Sequence, residues 1–210
     1  MALDKIKIDV DFSEIQTMYK RTKETSKERM KKLTTLAARR VPRLVGKRVA
    51  ERYNISAVEV YPPKYKVKTD RHTKTKYNVV KLSNVRITGE TLDTLAFVWE
   101  GRRGTVQRFK MKPNAVPKNP REPYDITFSV LRGKTQALKR TDDVRYFVQE
   151  VKGVVHAVYA SNNRSSALNR KIQGIAKTIS VPIMIDNENV QPNVQRDINK
   201  LMEDEIRKLK

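Results

Sequence analysis

Residues 30–50 read MKKLTTLAARRVPRLVGKRVA. Met30, Leu33, Ala37, Val41, Leu44, Val45 and Val49 recur three or four residues apart, the period of a helix with an apolar face. Phe12, Ile15 and Met18 open the same period earlier. Ser13-Glu-Ile-Gln16 has the form of a capping box, in which hydroxyl and amide each satisfy an orphan backbone N–H. A helical region over residues 12–53 is therefore predicted, with Asn54 as its stop. Pro42 interrupts the stripe, because it lacks a backbone donor and clashes one turn back. A kink or a split is expected between Arg40 and Pro42.

Outward from this helix the period changes to two. Before it, Lys5–Val10 alternates as a short strand. After it, Ala57–Tyr61 (AVEVY) alternates and is closed by Pro62-Pro63, which predicts another strand. Lys64–Lys76 (KYKVKTDRHTKTK) has too little apolar content for a core, so residues 62–76 are expected as an exposed loop or hairpin tip. Tyr77–Thr88 reads as a strand broken near Ser83-Asn84 and ended by Gly89, and Ala96–Glu100 as a further short strand. Gly101-Arg-Arg-Gly104 is a turn, Thr105–Lys112 alternates again, and the proline-bearing residues 113–123 form a second loop. Asp125–Leu131, then Tyr146–Ala160 with Gly153 in its middle, complete the β-rich region 57–160.

The last quarter is different. Ile175–Ile185 is apolar around Pro182, and Asp186-Asn-Glu-Asn189 is a cap-rich turn. Val194, Ile198, Leu201, Met202, Ile206 and Leu209 then share one face of a terminal helix over 190–210. Helix, antiparallel strands, then helix is an α+β order. The expectation is one domain, 1–210, with the long N-terminal helix and the C-terminal helix packed on a twisted antiparallel sheet.

Charge narrows the function. Forty-five Lys and Arg stand against 23 Asp and Glu, a net +22 over 210 residues. Residues 1–60 carry 15 basic and 8 acidic residues, 61–150 carry 20 and 9, and 151–210 carry 10 and 6, so the charge belongs to the folded body. Self-repulsion of that size points to an anionic partner: nucleic acid, an acidic protein surface or an anionic membrane. With no Cys, disulfides and thiolate metal sites are excluded, and a reducing cytoplasm is the expected place of assembly. The N-terminus lacks the apolar run of a signal peptide, and no apolar stretch approaches a membrane span. A peripheral membrane role is disfavoured, since no helix sets a Lys/Arg face against a bulky Trp/Phe/Leu face.

Catalysis is poorly supplied. His72 and His156 have no partner placed by sequence, and Asp142-Asp143 and Glu203-Asp204-Glu205 read as solvated turn and helix-face residues. Phosphate-loop, dinucleotide, nucleophile-elbow and zinc-protease motifs are missing from the chain. No enzyme and no cofactor is expected. Nucleic-acid binding has better footing. Twelve basic residues between Lys20 and Arg48, among them Arg39, Arg40 and Arg43, could release counterions from phosphates without reading sequence. Tyr65, Tyr77 and Phe109, interleaved with cations, could stack on bases.

Three segments carry a family resemblance: Leu36-Ala-Ala-Arg-Arg-Val-Pro-Arg43 in the long helix, Asn169-Arg-Lys-Ile172, and the apolar run holding Ser180-Val-Pro-Ile-Met184 before the last helix. With a basic β region between, this order resembles the minor tail protein Z family of tailed phages and prophages. The loops 61–77 and 112–123 depart from that pattern. The resemblance implies a non-enzymatic virion structural protein that completes the tail at the head–tail junction. It implies a homo-oligomeric ring, assembled in the host cytoplasm, whose neighbours are tail terminator, tail tube and head–tail connector proteins, with DNA as a further partner. The alternative, from charge alone, is a cytoplasmic, sequence-independent nucleic-acid-binding protein.

The expected contact surface is basic. Strand alternation sets Lys110 and Lys112 opposite Phe109 and Met111, and the Gly101–Gly104 turn lifts Arg102 and Arg103 off the sheet. Together with Lys64, Lys66, Lys68, Lys74 and Lys76 they are predicted to form an exposed positive surface for DNA or an acidic neighbour.

Overall fold

The computed structural model describes residues 4–12, 26–61, 72–74, 78–88, 91–109, 126–139, 141, 144–151, 154–161 and 172–208. The class is α+β, with antiparallel sheets, a long helix near the N-terminus and a second at the C-terminus. The described chain divides into two compact units. The first comprises 1–50, 56–102 and 180–210, and the second 51–55 and 103–179.

The first unit holds a four-stranded sheet of β1 (Asp4–Asp11), β2 (His72–Lys74), β3 (Asn78–Thr88) and β4 (Thr91–Gly101), in the order β1-β4-β3-β2. β4 is central, and Ala96, Phe97, Val98 and Trp99 are all buried, so both of its faces are covered. That is why its apolar residues run on instead of alternating. β3 pairs with β4 through Ser83↔Ala96 and Asn84↔Leu95, so the break expected at Ser83-Asn84 does not occur. The Trp99 indole N–H donates to the Val60 carbonyl at 3.1 Å, which satisfies the one polar atom of a fully buried side chain.

Helix α1 runs from Ser26 to Arg52 with Pro42 inside it; the helix is not split. Leu33, Ala37, Ala38, Val41, Val45 and Val49 are buried, and so is Pro42. The strand expected at Ala57–Tyr61 is instead a short helix, α2 (Ala57–Val60). Ser56 and Glu59 form a capping box: the Ser56 backbone N–H and hydroxyl both donate to the Glu59 carboxylate, at 3.0 and 2.9 Å. α2 follows α1 closely. A Cβ added at Gly46 would lie 2.9 Å from the Ala57 carbonyl oxygen and against the Tyr61 ring. Gly46→Ala should therefore destabilise the protein. Helix propensity returns about 1 kcal/mol, whereas overpacking against a backbone oxygen costs about 1–3 kcal/mol. A urea midpoint at or above that of the wild type would contradict this.

Helix α3 (Val181–Ile185) buries Val181, Pro182, Met184 and Ile185 and packs against β1 and β4. Pro182 sits in its first turn, where the missing donor does no harm. Helix α4 (Gln191–Arg207) buries Val194, Ile198, Leu201 and Met202, as its spacing predicts.

The second unit has a three-stranded antiparallel sheet, β7 (Val144–Val151), β8 (Val154–Ser161) and β9 (Ile172–Ile175), and a ribbon of β5 (Ile126–Phe128) with β6 (Gln136–Leu138). Tyr146 and Tyr159 lie opposite each other on β7 and β8 with ring centroids 6.3 Å apart. Gly133 takes φ +72 in the turn that links β5 to β6, a conformation side chains avoid. Residues 52–54 add an edge here: Arg132 N–H donates to the Arg52 carbonyl and Asn54 N–H to the Val130 carbonyl, each at 2.8 Å. Thr105–Lys112 was expected as a strand. Val106–Phe109 is a 3₁₀ turn that buries Val106 and Phe109, residues three apart that eclipse in such a turn.

Candidate interaction surface

Helix α1 buries most of its circumference and leaves one strip open. Lys32, Arg39, Arg40, Arg43 and Lys47 are all exposed. At about 100° per residue they fall within an arc of about 100°, and at 1.5 Å per residue Lys32 and Lys47 are about 22 Å apart along the axis. The strip exists because the other positions on α1 are taken up by the core. Cations there are held on a rigid support, which spares part of the ordering cost of binding.

The cations of α1 differ in their commitments. Arg48 is half-buried and makes a two-pronged bond to Asp197 on α4: Nε to Oδ2 at 2.7 Å and Nη2 to Oδ1 at 2.8 Å. The guanidinium holds the Asp197 carboxyl below the usual carboxylate range. One level away, Arg40 Nη1 lies 3.9 Å from Glu205 Oε1, which also accepts from Lys208 at 2.7 Å. Arg40 and Arg48 are eight residues apart, as are Asp197 and Glu205, so two rungs about 12 Å apart tie the helices in antiparallel register. Glu205 was expected to be a solvated helix-face residue. Its side chain is only 14% exposed, and it serves as a structural acceptor. Arg39 and Arg43, by contrast, make no ion pair among the described residues.

Arg102 and Arg103 are exposed and likewise pair with no carboxylate among the described residues. Arg102 belongs to the first unit and Arg103 to the second. Lys74 lies in β2, opposite Val79. Lys64, Lys66, Lys68, Lys76, Lys110 and Lys112 lie outside the described residues, as do Tyr65, Tyr77, Asp142, Asp143, Ser13–Gln16, Asn169–Lys171 and the loop 113–123. Phe109 is fully buried, so it offers no face to a base. His156 on β8 is half-buried, opposite Gln149, with no hydrogen-bond partner for Nδ1 among the described residues. No group of His, Asp and Glu that could hold a metal ion occurs among the described residues. No helix among them is long and apolar enough to cross a membrane.

Comparison with known proteins returned no matching family model, no similar curated protein and no similar solved structure.

Proposed function

We propose that this chain is a non-enzymatic structural subunit of a bacteriophage tail, acting in tail completion at the head–tail junction. The observation that carries the reading is the order of its parts. Leu36–Arg43 lies in a 27-residue helix, antiparallel strands follow, and Ser180–Met184 leads through a short buried helix to an amphipathic terminal helix. That order matches what the resemblance to the minor tail protein Z family implies. Its partners in this reading are tail terminator, tail tube and connector proteins, and its site is the virion neck. The α1 strip supplies a contact for an acidic neighbour, with Arg39 and Arg43 as the cations to test first. The net charge of +22 favours a second reading, sequence-independent nucleic-acid binding.

The test is Arg39→Glu with Arg43→Glu. Both sites are exposed, so thermal stability should stay within about 0.5 kcal/mol of the wild type. Joining of tails to heads should fall at least about tenfold, because reversed rim charges oppose an acidic partner. Unimpaired joining would remove the strip from the proposal. Duplex DNA binding across a salt series separates the two readings. If phosphates are the partner, the log–log slope should shrink by about 2 when two contacts are lost. Negligible binding of the wild type at low salt would exclude the second reading.

A further inference from the structure

β1 ends its sheet: in the order β1-β4-β3-β2 its outer edge pairs with no strand among the described residues. A strand edge with no paired strand among the described residues is a template for another strand, and proteins commonly block such edges with like charges. The charges on β1 do the reverse. On its exposed face they run Lys5, Lys7, Asp9, Asp11, two cations followed by two anions, while Ile8 and Val10 are buried on the other face and Ile6 is half-buried.

We infer that β1 is a self-complementary edge that joins a second copy of this chain, strand to strand and antiparallel, about a twofold axis at Ile8. In that register Lys5 faces Asp11 of the second copy and Lys7 faces Asp9, each pair occurring twice. Ile6 faces Val10, and Ile8 faces its own equivalent. Residues set opposite one another have the same parity along β1, so the outward backbone groups of both strands meet and each side chain keeps its face. Shifting the axis to Lys7 or Asp9 sets two like charges against each other, which disfavours both neighbouring registers. The present partners of the two lysines are exchangeable. Lys7 lies 2.9 Å from Asp9, both about half exposed, and Lys5 lies 3.5 Å from Glu100. The contact is isologous and closes on itself, so it describes the free protein; a ring would use other surfaces. It does not depend on the tail reading.

Sedimentation of the full chain tests it. The wild type should sediment at twice the 24.4 kDa chain mass and shift toward monomer as salt screens the four pairs. Lys7→Asp and Asp9→Lys should each be folded and monomeric. An equimolar mixture of the two should return to the dimer, because the pairs between unlike variants are again opposite in sign. So should the double variant. A wild type that is monomeric at its highest soluble concentration, or a dimer indifferent to either single change, overturns the inference.

Discussion

Replacing Trp99 by alanine should remove about 3–5 kcal/mol of stability, the range for truncating a large aromatic in a packed core. Trp99 is fully buried on the central strand of the four-stranded sheet, with its ring centroid 6.1 Å from that of Phe97. Its loss opens a cavity next to residues buried on both faces of β4, where backbone pairing to β1 and β3 restricts collapse. It also removes the indole hydrogen bond to the Val60 carbonyl. Against a total stability of about 5–15 kcal/mol, the change should leave the first unit marginal or unfolded. Trp99→Phe separates the contributions: most of the volume stays, while the indole hydrogen bond to the Val60 carbonyl is lost, at about 0.5–1.5 kcal/mol. Chemical denaturation followed by circular dichroism measures both. Equal midpoints for wild type and Trp99→Ala would refute the placement of this side chain.

The second large effect belongs to the rung between α1 and α4. Asp197→Ala should cost about 2 kcal/mol, the worth of a charge-assisted pair between two largely sheltered side chains. Asp197 has a depressed pKa in the folded protein, chiefly from the Arg48 hydrogen bonds. Its contribution is therefore complete above the unfolded carboxylate value of about 3.9. It is lost as pH falls through the lower folded value. The gap between wild type and Asp197→Asn should hold from neutral pH down to about 4 and close below it. Arg48→Lys should recover only part of the stability, since an ammonium cannot make both bonds in one plane. A gap that persists unchanged at strongly acid pH would show that the carboxylate charge is not the cause.

The two long helices were legible because each repeats apolar residues over several turns, β1 because it alternates over eight residues, and β7 and β8 because Gly153 divides an apolar-rich run into two. Short segments misled. Ala57–Val60 alternates as a strand would, but over four residues the capping pair Ser56–Glu59 decides the local conformation. Thr105–Lys112 alternates as well. Burial of Val106 with Phe109 selects a turn of period three there. β6 carries no apolar alternation, and pairing with β5 is what defines it. The Arg39 and Arg43 strip could be read from spacing. The commitment of Arg40 and Arg48 could not, because their acceptors lie 165 and 149 residues away and are brought close by helix packing alone.

The most direct measurement of the proposed role adds the purified chain to phage tails that lack it and counts the tails that join heads. The tail-completion reading predicts that the chain becomes incorporated, that joining is restored, and that the Arg39→Glu, Arg43→Glu variant restores it poorly. Tails that neither take up the wild-type chain nor change their joining to heads would contradict it.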